Sequence, residues 1–183
     1  MVISTKLAHV KRILHKVNTD QRGHLTETIN SCIFRELNDP TPTFVQENIV
    51  YSKKDVLRGL HYQKPPMTQG KLVYVAYGTI LSAIVDVRKE CCGVNETFLI
   101  KDISEAGMKD LLWIPSGYAH GFLVMSAEAV VVYKLTNFYS PEHEEILLWN
   151  DPKLAIDWKL DDRIPIMKKQ DRDGKLLSEI TLL

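Results

Sequence analysis

Apolar residues in this chain come in short runs broken by turn residues, not in long stretches of helical period. Seven runs, over 44–50, 71–77, 80–87, 97–100, 111–114, 121–125 and 129–135, are rich in Val, Ile, Leu and aromatics. β-branched and aromatic residues suit a pleated, half-buried surface, so each run predicts a strand. Gly78–Thr79 between the second and third predicts a hairpin, and Pro115–Ser116–Gly117 a turn. Many short strands at regular spacing predict an all-β sandwich or barrel. Helical signals are few. Asn30 is a candidate cap for a short helix carrying Ile33, Phe34 and Leu37, and Leu176, Leu177 and Ile180 suggest another near the end. From about Pro141 onward the chain reads as loop with apolar anchors at Leu147, Trp149, Ile156 and Trp158. Those anchors are too few for a second core, so residues 1–183 read as one domain with a tail packed back on it.

Composition narrows the function classes. With 23 Lys and Arg against 23 Asp and Glu, the formal net charge is zero. A global electrostatic grip on nucleic acid or on an anionic membrane is therefore not expected. No apolar run approaches the roughly 20 residues that span a bilayer. The first sixteen residues are interrupted by Lys6, His9, Lys11 and Arg12 and lack the apolar stretch of a secretion signal. Cys32, Cys91 and Cys92 cannot all pair, and adjacent cysteines make poor disulfide geometry. Free thiols in a reducing cytoplasm are the expectation.

Two of the six histidines sit among glycines and apolar residues: His61 in Leu57–Arg58–Gly59–Leu60–His61–Tyr62–Gln63, and His120 in Gly117–Tyr118–Ala119–His120–Gly121–Phe122. Such a histidine is either a hydrogen-bonded core residue or part of a site. Arg58 and His61 face opposite sides of a regular strand, so sharing a cavity requires a bulge or bend at Gly59. Lys71 opens the next strand after Gly70. A barrel gathers inward-facing residues of neighbouring strands around one cavity, and His, Arg and Lys together suit an anionic, carbonyl-bearing ligand. Residues 115–120 fit the PxGxxH half of a metal-binding cupin pattern, but the other half offers only His61 followed by Gln63. Two ligands are too few for a stable metal site, so no metal is expected. Tyr133 and Tyr139, an even number of residues apart, point the same way if their strand continues. A tyrosine across a cavity from a histidine is a candidate general acid.

Taken together, these pieces resemble the dTDP-4-dehydrorhamnose 3,5-epimerase family of cupin-type sugar-nucleotide epimerases. The matching segments run in collinear order: residues 20–23 with Glu27, 44–48, 56–63, 69–73, 85–88, 113–115, 117–122, 133–134, 139–141 and 149–152. The resemblance implies a cupin-type jelly-roll barrel with a few short flanking helices, a homodimer, no cofactor, and a dTDP-4-keto-6-deoxyglucose substrate epimerised at C3 and C5. It implies His61 as general base, Tyr133 as general acid and Lys71 as the cation near the C4 oxygen. Arg22, Glu27, Gln46, Asn48, Arg58, His120 and Tyr139 fall on substrate-contacting positions. The carboxylate that orients the base comes from a tail motif, which here reads Lys168–Lys169–Gln170–Asp171–Arg172–Asp173. Asp171 is the expected partner, with Asp173 as the alternative. Three positions depart from the pattern. Ser82 stands where the family has an aspartate supporting the second histidine, Leu25 where it has an aromatic residue, and Lys159 where it has proline. Rival readings are a single-centre epimerase on a related nucleotide sugar, a metal-dependent cupin oxygenase, and a non-catalytic sugar-nucleotide binder.

Overall fold

The computed structural model describes residues 1–36, 42–104 and 107–183. In chain order its strands are β1 (Val2–Ser4), β2 (Lys11–Lys16), β3 (Asn18–Asp20), β4 (Gly23–Leu25), β5 (Gln46–Lys53), β6 (Leu57–Gln63), β7 (Lys71–Tyr77), β8 (Thr79–Asp86), β9 (Asn95–Lys101), β10 (Met108–Ile114), β11 (Tyr118–Val124), β12 (Glu128–Leu135) and β13 (Glu144–Ile146). Two short helices are α1 (Ser31–Glu36) and α2 (Lys169–Arg172). A six-stranded sheet in the order β1-β2-β10-β7-β12-β5 faces a five-stranded sheet in the order β13-β6-β11-β8-β9, and β3 with β4 forms a separate ribbon. All pairings between these strands are antiparallel. The fold is all-β and jelly-roll-like.

Three apolar layers explain why the strands read as nearly continuous hydrophobic runs. Val73, Val75, Leu112 and Val131 of the larger sheet meet Ile80, Ile84, Phe122 and Val124 of the smaller one in the central core. The outer face of the smaller sheet is covered by the tail, whose Leu147, Leu154, Trp158 and Ile180 pack on Leu57, Leu81, Val85 and Leu123. On the other side, Phe34 of α1 and Phe44 pack edge-on to Trp113, with Leu72, Leu111 and Ile13 beneath. With both faces of each sheet covered over much of its area, polar alternation largely disappears.

The structure corrects several expectations. β7 and β8 do not form a hairpin: Gly78 turns the chain from the six-stranded sheet into the five-stranded one. Gly78 has φ +87°, and a Cβ there would lie 2.3 Å from the Glu128 carbonyl oxygen, so the corner needs glycine. The helix expected around Leu176–Ile180 is a turn, closed by the Glu179 amide donating to the Leu176 carbonyl; the helical turn lies earlier, at α2. The strand expected over 44–50 begins at Gln46 and continues to Lys53. β1 and β2, in the stretch read only for its charges, pair with each other, and β2 pairs in turn with β10. Leu37, the third apolar residue of the first predicted helix, lies outside the described residues.

Candidate active site

The site begins with an irregularity in β6. His61 pairs with His120 of β11, but Arg58 pairs with Phe122, so three steps on β6 match two on β11. That is a β-bulge, and Gly59 supplies it with φ +106°. The strands also approach closely here. A Cβ on Gly59 would sit 2.6 Å from the Gly121 Cα, and one on Gly121 would sit 2.7 Å from the Arg58 carbonyl oxygen. Both positions therefore exclude any side chain. The bulge brings Arg58 and His61 onto one cavity, as their spacing required.

That cavity, of about 320 Å³, opens between the sheets. His61 and Arg58 reach it from β6, His120 from β11, Lys71 from β7, Tyr133 from β12, and Gln46 and Asn48 from β5. Tyr139 lines it from the loop after β12, and Asp171 from α2. His61 and Tyr133 thus come from opposite sheets. Arg22 and Glu27 do not join them. Arg22 sits in the turn of the β3–β4 ribbon, exposed and paired with Asp20, and Glu27 is exposed just beyond it. The ribbon belongs to neither main sheet, so a single chain does not carry these two residues to the cavity.

Nε2 of His61 lies 3.0 Å from Oδ1 of Asp171, while the other carboxylate oxygen of Asp171 accepts the Gly59 amide at 3.2 Å. The bulge glycine thus fixes the carboxylate that fixes the imidazole. Asp171 is buried, which alone would push its carboxyl group up; the hydrogen bond and charge of His61, the Gly59 amide and Lys168 outweigh this and leave it below its usual value. An ionised Asp171 makes Nε2 the protonated nitrogen of a neutral His61 and leaves the lone pair on Nδ1. Asp173, the alternative partner, lies outside this cavity and lines a neighbouring cleft instead.

Lys71 is buried, and its ammonium donates to the His61 carbonyl oxygen at 2.9 Å. Burial lowers it to about 8, with Glu144 acting in the opposite sense. His120 is buried too, with Nε2 2.9 Å from the Ser82 hydroxyl. Burial, and then the neighbouring Lys71 and His61, hold His120 well below its normal range, so it is neutral. Its ring stands edge-on to Tyr133 with centroids 6.1 Å apart. Burial raises the Tyr133 phenol above its usual value, only partly offset by Arg58, so Tyr133 keeps its proton.

At the cavity mouth, Gln46 holds the Asn48 side chain at 3.1 Å and accepts the Tyr139 amide at 2.9 Å. The Arg58 guanidinium donates to the Ser52 hydroxyl at 3.0 Å. Polar lining residues that sequence reasoning did not single out include Gln63, Gln69, Glu144 and Lys168. Gln63 was within reach, since it lies two residues beyond His61 on the same strand face. Glu144 was not, because three-residue β13 has no pattern long enough to read. Among the described residues, no three His, Cys, Asp or Glu side chains are grouped to hold a metal ion. The three cysteines are free.

The model of the dTDP-4-dehydrorhamnose 3,5-epimerase family matches residues 4–179. The chain belongs to that family. It is similar over its whole length to the dTDP-4-dehydrorhamnose 3,5-epimerase of Salmonella typhimurium, with 40% identity over 182 residues, 100% of this chain and 98% of that protein. A relative from Methanothermobacter thermautotrophicus is 41% identical over 97% of this chain and 94% of its own length. Among solved structures, the Legionella pneumophila epimerase in complex with dTDP-4-keto-L-rhamnose superposes with a TM-score of 0.90. It is 39% identical, over 99% of this chain and 94% of that one. The Bacillus anthracis epimerase, solved with TDP and pyrophosphate bound, gives a TM-score of 0.87 at 34% identity, covering 96% of this chain and 98% of that one. Family and fold together make this chain an isomerase of nucleotide-activated deoxysugars.

Proposed function

We propose that this epimerase inverts C3 and C5 of dTDP-4-keto-6-deoxyglucose, without a cofactor, to give dTDP-4-dehydrorhamnose. The observation that carries the mechanism is the placement of an Asp171-held imidazole and a protonated phenol on opposite sheets of one cavity. A proton next to a ketone is removable only if the enolate oxygen is stabilised. The Lys71 ammonium, fixed on the His61 carbonyl, is the group for that task. A preorganised donor of this kind contributes about 3–4 kcal/mol.

His61 takes the proton at Nδ1, and Asp171 stabilises the imidazolium that forms. Inversion requires a proton on the opposite face of the carbon, which the same imidazole cannot reach in one pose. Tyr133 delivers it from the other sheet. His120, kept neutral, orients the sugar by hydrogen bonding and transfers no proton. Arg58 meets the diphosphate, and Gln46, Asn48 and Tyr139 line the mouth for the nucleotide end.

The same reading includes a homodimer working in the cytoplasm. β5 is an edge strand whose outward Ile49 and Tyr51 are 70% and 54% exposed, an apolar surface suited to a second copy. Free cysteines fit a reducing compartment.

The test is incubation with dTDP-4-keto-6-deoxyglucose in deuterated water, followed by NMR at C3 and C5. Deuterium at both carbons is expected. Deuterium at one carbon identifies a single-centre enzyme, and no exchange with dTDP still bound identifies a binder.

A further inference from the structure

Among the described residues two carboxylates line the cavity, and they have different employment. Asp171 on α2 is committed to the His61 imidazole and the Gly59 amide, with Lys168 3.8 Å away. Glu144 on β13 is not part of that pair. β13 is hydrogen-bonded to β6, with Glu144 opposite Gln63 and Ile146 opposite His61. Glu144 therefore stands two positions along from the carbonyl on which the Lys71 ammonium is fixed. Its Oε2 accepts the Tyr139 hydroxyl at 3.0 Å, which steadies the carboxylate at the rim.

The other ionisable groups around Lys71 do not help it stay charged. His61 and Arg58 on β6, His120 on β11 and Lys168 beside α2 cannot carry a negative charge, and the Tyr133 phenol on β12 keeps its proton. A buried ammonium needs an uncommitted negative charge nearby, or it loses its proton.

We propose that Glu144 is a positioning residue that keeps Lys71 in its ammonium form and thereby preserves the enolate-stabilising charge of the cavity. The proposal rests on the epimerase reading given above. Burial already brings Lys71 to about 8, against which Glu144 acts. Removing the negative charge therefore lowers Lys71 further, and the cavity loses its cation at a lower pH. Because kcat/KM reports the free enzyme, its alkaline limb is the quantity to follow.

The experiment measures kcat/KM for product formation from pH 6 to 9 in wild type, Glu144→Gln and Glu144→Asp. In Glu144→Gln the alkaline limb is expected to move down by about one pH unit. That is about a fivefold loss at pH 8, with activity within about twofold of wild type at pH 6. Glu144→Asp, which keeps the charge, is expected to restore the limb to within about half a unit of wild type. An unmoved limb in Glu144→Gln, or an equal loss at every pH, overturns the proposal. A wild type that forms no product overturns the epimerase reading instead.

Discussion

His61 and His120 are cross-strand neighbours on β6 and β11, yet one holds a carboxylate and the other a hydroxyl. Asp171 can stabilise a charged His61, whereas Ser82 can only hydrogen-bond a neutral His120. In the proposed mechanism the two imidazoles thereby divide into a proton carrier and a fixed polar contact. Ser82→Asp is expected to give His120 a carboxylate and raise it from its depressed position toward neutral pH. Imidazole 15N NMR on titration checks this. His120 stays neutral through pH 6 in wild type and gains a proton near neutrality in the variant.

The bulge at Gly59 is a second dependency. Gly59→Ala meets both the positive φ and a Cβ contact of 2.6 Å with Gly121. A loss of about 2 kcal/mol or more is expected, which corresponds to a Tm decrease of about 4–8 °C for a domain of this size. Exchange activity should fall further than stability, because Gly59 also holds Asp171. Thermal melts alongside exchange rates separate the two effects.

How much of this was legible in the sequence follows from the same residues. The need for a bend at Gly59 could be read from the odd spacing of Arg58 and His61. Tyr133 and Lys71 could be placed on strands because β7 and β12 are seven and eight residues long with clear β character. The Gly78 corner could not be told from a hairpin, since glycine serves both and only packing decides which sheet the chain enters. The α2 turn carrying Asp171 is four residues long, too short for any helical period to show. Arg22 and Glu27 matched a family pattern locally, but the β3–β4 ribbon keeps them off this chain's cavity.

Tail attachment is a third matter, and it centres on Glu145. This buried carboxylate binds the Tyr62 hydroxyl, the Thr181 amide at 2.8 Å and the Lys175 ammonium at 2.5 Å. Burial opposes its ionisation, but Lys175, Tyr62 and Thr181 outweigh it and pull the group from 4.5 to about 2. A carboxyl group lowered on folding stabilises fully above its unfolded value and loses that contribution as pH falls toward its folded one. Glu145→Gln is therefore expected to lower Tm at pH 7, by about 4 °C or more given about 2 kcal/mol for a charged hydrogen-bond set. The gap to wild type should narrow steadily between pH 4.5 and pH 2. Melting curves across that range give the answer, and a gap independent of pH is the contrary result.

The orienting role of Asp171 has its own signature. In Asp171→Asn the amide oxygen takes the Gly59 N–H, so the NH₂ group faces His61 Nε2. That forces the imidazole proton onto Nδ1, the atom that must accept the substrate proton. Turnover is expected to fall by about 10²–10⁴-fold while dTDP affinity stays near wild type. Steady-state kinetics with dTDP as competitive inhibitor measures both quantities, and an equal loss in both is the outcome that removes Asp171 from this role.

The central claim is that His61 removes the sugar proton, and solvent exchange reads it without waiting for product. His61→Ala is mixed with dTDP-4-keto-6-deoxyglucose in deuterated water, C3 and C5 are followed by NMR, and dTDP binding is measured by calorimetry on the same sample. The account predicts wild-type dTDP affinity and exchange at both carbons reduced by at least about 10²-fold. Exchange at the wild-type rate in that variant contradicts it.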